Sequence, residues 1–138
     1  MLDLSTELGS RVRRLLESRQ IVWLTTVGRD GTPQPRPVWF LWDGTSVLIY
    51  SMPGTNKLRH LARSGRVSLN FNSDPDATEV AVLTGEAKIV ADAPRADDQP
   101  EYLEKYRAGI AHIGMTPEGF GRDYSVAIRV TPTGLRGM

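Results

Sequence analysis

The chain contains no cysteine. Disulfides, iron–sulfur clusters and thiolate zinc sites are thereby excluded, and a reducing compartment suits the composition. Histidine is nearly absent too. His60 and His112 stand far apart, in no HxH or HxxxH spacing, so no histidine metal centre is expected. Neither sign of charge dominates: Lys+Arg number 17 and Asp+Glu 16, for a formal net charge of +1. Bulk charge gives no reason to expect nucleic acid, and any anion site has to be local. No apolar run approaches the roughly 20 residues of a membrane span, and the acidic start "MLDLSTE" is unlike a signal peptide. The expectation is a cytoplasmic protein without a membrane partner. Internal repeats and low-complexity segments are also lacking.

What is present is ordinary for a soluble domain: 138 residues, 40% hydrophobic and 24% charged. That length predicts one domain, 1–138, with enough chain to bury a core. Leu4, Leu8, Val12, Leu15 and Leu16 mark one face of a helix over 4–19. The run "IVWLTTV" at 21–27 reads as a strand closed by the turn "GRDG". "VWFLW" at 38–42 then enters an Asp43-Gly44 hairpin, with 45–50 as the returning strand. Further strands are expected at 66–71, at 78–90 with a bulge or bend at Gly85, and at 124–131. A second helix is expected to open at Thr55-Asn56-Lys57, and a third from 101 to about 114. Six strands, early hairpin links and three helices predict a mainly β protein, a small antiparallel barrel with peripheral helices.

Pro33, Pro35 and Pro37 occupy alternate positions before the second strand. Alternate residues of a strand share one hydrogen-bonding edge, so this segment cannot lie in mid-sheet. It runs along an edge that either meets a ligand or is kept from pairing with another chain. Both readings stand on the segment alone.

In "IYSMPGTNKLRHLARSG", 49–65, a strand hands over to a helix that Thr55 or Asn56 can cap. Lys57 lies at the positive end of that helix, where Asp or Glu would suit stability better. A phosphate bound by the free N–H groups, with Lys57 and Arg59 beside it, explains the choice. A charge-assisted hydrogen bond contributes about 1.5–3 kcal/mol, more than the dipole repulsion costs. A solvated surface helix that happens to begin with a lysine explains the same residues.

Taken together, "QPRPVWFLWDG", "LIYSMPGTNKLRHLARSGRVSLNF", "VLTGEAKIV" and the closing "AIRVTPTGLRG" resemble the pyridoxamine 5′-phosphate oxidase-like superfamily of split β-barrel flavoproteins. Among its branches the chain is most similar to the actinobacterial reductases that use the deazaflavin coenzyme F420. The resemblance implies a homodimer of split barrels with the cofactor in a groove at the dimer interface. Carried over by position, Asn56 and Lys57 match residues that hold the cofactor phosphate. Tyr50, Ser51 and Met52 match the strand end lining the groove. Arg36, Pro37, Val38 and Trp39 match the strand beside the ring and its polyol chain. Where relatives often end with an aromatic residue near the partner's site, this chain ends in Met138.

The resemblance implies a reductase that passes a hydride from the reduced deazaflavin to a small unsaturated or conjugated substrate, with no essential acid–base side chain. FMN on the same fold is the alternative cofactor, and a non-catalytic carrier of flavin, deazaflavin or haem the alternative role. The F420 tail adds carboxylates beyond the phosphate, and Arg59, Arg63 and Arg66 are candidates to meet them. Oxidation of pyridoxamine phosphate is disfavoured, because no matching substrate-phosphate cluster stands near the end of the chain. Trp23 and Trp42 read as core, Trp39 as core or site, and His60 as a surface or packing residue.

Overall fold

The computed structural model describes residues 2–138. Its frame is one seven-stranded sheet: β1 Val22–Val27, β2 Pro33–Val38, β3 Leu41–Trp42, β4 Val47–Ser51, β5 Arg66–Asn70, β6 Ala81–Val90 and β7 Val126–Gly137. The strand order is β2-β1-β5-β6-β7-β4-β3, with every neighbouring pair antiparallel. The sheet curls into a split barrel with helices α1 Glu7–Ser18, α2 Asn56–Arg63, α3 Pro100–His112 and α4 Pro117–Asp123 around it.

Seven strands replace the expected six because the segment 38–42 breaks in the middle. Trp39 and Phe40 leave the strand to feed two different cores. Phe40 is fully buried in the barrel interior with Val12, Leu16, Leu24, Leu69, Leu83 and Ile128. Trp39 turns outward and packs on a second cluster of Leu48, Tyr50, Ala96, Tyr102, Tyr106, Ile110 and Phe120. The backbone of Phe40 then bonds to α3 instead of to a strand: its N–H donates to Tyr106 Oη at 2.9 Å, and its carbonyl accepts from Lys105 Nζ at 2.9 Å. Wet residues 33–37 thus become β2, with its own partner in β1, and only Leu41–Trp42 remain to pair with β4.

β4 is buried along its whole length because both faces are covered. Val47 and Ile49 face the barrel interior, while Leu48 and Tyr50 face α3 and α4. The expected bulge falls at Gly85, where the β6–β7 register shifts between Thr84 and Gly85. β7 extends beyond the expected 131 to Gly137, carrying Pro132 opposite Gly85. Met138 and Val80 exchange backbone hydrogen bonds of 3.1 and 3.2 Å, and Arg11 donates to the carbonyls of both residues. The chain end is therefore part of the sheet. The fourth helix, α4, was not expected; Thr116 caps it by accepting from Gly119 N–H at 3.0 Å, with Pro117 in its first turn.

Candidate cofactor site

β2 forms one edge of the sheet, and its pairing shows what that edge offers. Gly28 N–H donates to the Thr32 carbonyl at 2.8 Å. By the alternation of an antiparallel ladder, Thr26–Gln34, Leu24–Arg36 and Val22–Val38 are the hydrogen-bonded pairs. Pro33, Pro35 and Pro37 sit at the positions between, so their carbonyls point outward. The free edge of β2 therefore presents acceptors and not a single N–H. Another strand cannot pair with it fully, but a ligand bearing donors can lie against it.

At the end of β4 the chain turns through Pro53 and Gly54 into α2. Gly54 holds φ +75°, a left-handed conformation that glycine adopts without strain. Thr55 stands at the N-cap, but its side chain makes no capping bond. Its hydroxyl lies 3.1 Å from Ser51 Oγ, which donates to the Met52 carbonyl at 2.8 Å. The hydroxyl that would have satisfied the first turn thus braces the turn before it. The opening N–H groups of α2 keep their donor capacity, next to the positive end of the dipole.

Two concave spaces meet here. The outer one, about 450 Å³, is lined by Arg36, Pro37, Val38, Gly54, Thr55, Asn56, Lys57 and Arg59. The inner one, about 270 Å³, is walled by Pro37, Val38, Trp39, Tyr50, Lys57, Tyr102, Ile113, Phe120 and Tyr124. Pro37, Val38 and Lys57 border both, so the two form a single trough with a basic mouth and an aromatic end.

No carboxylate lines either space. Among the described residues the ion pairs are Arg95–Asp97, Arg122–Asp123 and Arg129–Asp43, so Arg36 and Lys57 have no acidic partner. Burial, and after it the charge of Arg36, pushes the Lys57 ammonium below the ordinary lysine range. Two unneutralised cations side by side are costly, and an anion between them removes the cost. Arg59 is less free: its guanidinium donates to the Gly54 carbonyl at 2.8 Å and to the Asn56 side chain. Arg63 and Arg66 line neither space.

The aromatic end is a continuous stack. Trp39 lies 4.6 Å from Tyr106 and 5.5 Å from Phe120, and Phe120 lies 4.2 Å from Tyr124, all close to parallel. Tyr102 meets Tyr50 edge-on at 5.1 Å. The Tyr50 hydroxyl donates to the Pro94 carbonyl at 2.6 Å and accepts from Gln99 at 3.3 Å. Its proton is committed to the protein, and burial first of all raises its pKa. Tyr50 is a wall of the trough rather than a proton source.

Of the residues expected from sequence, Arg36, Pro37, Val38, Trp39, Tyr50, Asn56, Lys57 and Arg59 share this trough. Ser51 is buried behind it as a brace for the turn, and Met52 stands exposed in that turn. Tyr102, Ile113, Phe120 and Tyr124 were missed. They come from α3, α4 and the segments at their ends, far along the chain, and no local motif marks them. Trp23 is half-buried and donates to Asn72 at 2.9 Å, Trp42 packs against the barrel core, and His60 lies 2.8 Å from the buried Thr26 hydroxyl. Among the described residues no group of three His, Cys, Asp or Glu could hold a metal ion.

A curled antiparallel sheet with helices packed around it defines a split-barrel protein. The family model for pyridoxamine 5′-phosphate oxidase matches residues 8–138, and the chain belongs to that family. Solved structures agree on the fold. One is named an F420 reductase: 27% identical, TM-score 0.67, covering 90% of this chain and 94% of that one. A Clostridium acetobutylicum protein of the pyridoxinephosphate oxidase family, related to a general stress protein of B. subtilis, is 22% identical with TM-score 0.65, covering 97% and 88%. The haem storage protein of Vibrio cholerae is 17% identical with TM-score 0.65, covering 96% and 95%. No curated protein is significantly similar to this chain.

Proposed function

We propose that the chain is an F420-dependent reductase, active as a homodimer on a small unsaturated or conjugated substrate. The observation that carries this reading is the trough: an unneutralised Lys57–Arg36 pair beside free helix N–H groups at one end, stacked aromatic rings at the other. A phosphorylated cofactor with a flat ring fits that order of chemistries. Lys57, Asn56 and the α2 amides would hold the phosphate, the carbonyl edge of β2 would meet polar hydrogens, and Trp39 and Tyr50 would flank the ring. When bound, the deazaflavin supplies a hydride. The residues here bind it, orient it and exclude water from its face, and no acid–base side chain is required.

The outer space favours the deazaflavin over FMN. It is the larger of the two, is lined by Arg36, Lys57 and Arg59 without a carboxylate, and so accepts an anionic tail beyond a single phosphate. The similarity to the protein named an F420 reductase supports the same choice. Met52, Ile89 and Ile113 are 46–50% exposed apolar side chains, and Ile113 borders the inner space. A second copy packed over Ile113 would cover the inner space beside it. No helix among the described residues is long and apolar enough to cross a membrane.

Paired fluorescence titrations of the purified protein with F420 and with FMN test this. Tight binding of F420 with weak binding of FMN is expected. Preference for FMN would transfer the chemistry to flavin oxidoreduction on the same site. Binding of neither would remove the phosphate site itself.

A further inference from the structure

Helix α2 carries Lys57 and the N–H groups of the anion site, yet little holds it in place. It is eight residues long, and an isolated helix shorter than roughly 12–15 residues is marginal in water. Leu61 is its one buried side chain, with Leu58 partly buried beside it. Arg36 borders the same outer space but belongs to β2. Among the described residues no ion pair joins α2 to β2, and the charge of Arg36 acts on Lys57 as a repulsion. Arg59 spends its guanidinium within its own turn, on Gly54 and Asn56.

His60 supplies a polar tie to the sheet. Its Nδ1 lies 2.8 Å from the hydroxyl of Thr26, a β1 residue that is 2% exposed. Among the described residues this is the only side-chain hydrogen bond from α2 to a strand. A buried hydroxyl needs a partner, so the bond has a structural use. Its place in the fold gives it a second. Thr26 stands opposite Gln34 of β2, two residues before Arg36. His60 follows Lys57 by three residues, about one helical turn. The bond therefore links the helix that bears one cation to the hairpin that bears the other. His60 itself lines neither space, so it acts through its neighbours.

We infer that His60 is a positioning residue for the anion site: its bond to the buried Thr26 hydroxyl seats α2 on β1, so that Lys57 and the first N–H groups of the helix converge with Arg36 on one phosphate. The inference rests on reading the trough as the site of a phosphorylated cofactor, and it names what sets the geometry of that site. Arg36 and Lys57 repel each other, and the His60–Thr26 bond opposes the repulsion. A phosphate between the two cations acts across the same gap. The bond and the phosphate are thus coupled, and couplings of this kind are typically worth a factor of about 5 to 150 in affinity.

The test titrates wild type and variants with F420 and with FMN by fluorescence, and melts each protein without ligand. His60→Phe keeps a ring and removes the nitrogen; His60→Asn keeps a polar atom at the δ position and removes the ring. His60→Phe should bind about fivefold or more weakly, and His60→Asn close to wild type. The reverse order would assign the effect to ring packing and overturn the inference. Thr26→Val should weaken binding as His60→Phe does. Combining His60→Phe with Thr26→Val leaves no buried hydroxyl unpaired, so the melting temperature should recover towards wild type while binding stays weak. Binding that recovers together with the melting temperature would make the bond a matter of stability alone and overturn the inference, as would equal affinity throughout. If wild type binds FMN and not F420, with the same order among the variants, the deazaflavin reading falls and the role of His60 stands. Binding of neither to wild type would sink the anion site and the role of His60 with it.

Discussion

The rings of Trp39 and Tyr106 lie face to face, their centroids 4.6 Å apart and their planes 9° from parallel. This stack joins the end of β2, where the ligand edge stops, to the middle of α3. The Tyr106 hydroxyl completes the joint. It accepts from Phe40 N–H at 2.9 Å and lies 2.6 Å from the Gln20 carbonyl and 3.0 Å from that of Phe40. One proton serves one acceptor best, and the shorter distance assigns it to Gln20. A single phenol thus ties the chain before β1, the break after β2 and helix α3 together.

Tyr106→Phe keeps the stack and deletes the tie. Phe40 N–H is left buried without its acceptor, so the substitution should cost about 1–3 kcal/mol. For a chain of this size, each kcal/mol lost lowers the melting temperature by roughly 2–8 °C. Calorimetry comparing Tyr106→Phe with the wild-type protein measures the tie. Equal melting temperatures would mean that the Tyr106 bonds contribute nothing net.

Lys57→Ala should behave in the opposite way, losing function without losing stability. The ammonium is half-buried beside Arg36 with no acid near, and its pKa is depressed. The unfolded chain therefore takes up that proton more readily, and the charge works against folding at neutral pH. Removing it should leave the melting temperature level or slightly raised. Cofactor binding should weaken by roughly tenfold to a hundredfold, the worth of one charge-assisted bond to phosphate. An unchanged dissociation constant in a fluorescence titration would mean that no phosphate sits at α2.

Lys105 carries a pH prediction. Its ammonium donates to the Phe40 carbonyl at 2.9 Å and lies 3.7 Å above the Phe40 ring centroid, contacts that favour the charged form. Burial outweighs them and pulls its pKa down to about 8 from 10.5. Between those two values the unfolded chain binds more protons than the folded one, so stability rises with pH across that window. Below about 8 both states are charged and the full cost of burying the cation remains. Lys105→Met removes that cost, and the Tyr106 proton, otherwise given to Gln20, can turn to the Phe40 carbonyl 3.0 Å away. The variant should be the more stable at pH 7, its advantage shrinking as the pH climbs to 10. Urea midpoints for both proteins at pH 7, 8, 9 and 10 check this, and a constant difference would show that Lys105 does not titrate in the window.

What could be read from sequence was whatever had a local cause. Three prolines in alternate positions forbid a central strand, and β2 is an edge. Gly85 in a long apolar alternation marks a register shift, and one is present there. Lys57 at a helix start drew attention because it offends the dipole, and it lies where two spaces meet. What could not be read depends on neighbours distant in sequence. Nothing in "VWFLW" says that Trp39 and Phe40 divide between two cores; α3 decides that through Tyr106 and Lys105. Likewise Tyr102 and Phe120 look like ordinary core residues of helices until the fold sets them beside Tyr50 and Trp39.

Gly109 gives the last test, because it sets the room available to Trp39. It lies within α3, where alanine would be favoured by about 1 kcal/mol over glycine in an exposed helix. A Cβ there would stand 3.1 Å from two atoms of the Trp39 indole, closer than such contacts normally come. The indole has to shift by a few tenths of an ångström, and it stacks on both Tyr106 and Phe120, so those contacts must adjust with it. Gly109→Ala should thus gain helix propensity and lose packing, leaving the melting temperature within a few degrees of wild type. Ligand binding has no such compensation. If Trp39 forms a wall of the site, displacing it should weaken F420 binding several-fold and shift the tryptophan emission. Unaltered affinity with a shifted emission would show that the indole moved and the ligand did not notice, which would take Trp39 out of the site and leave it to the core.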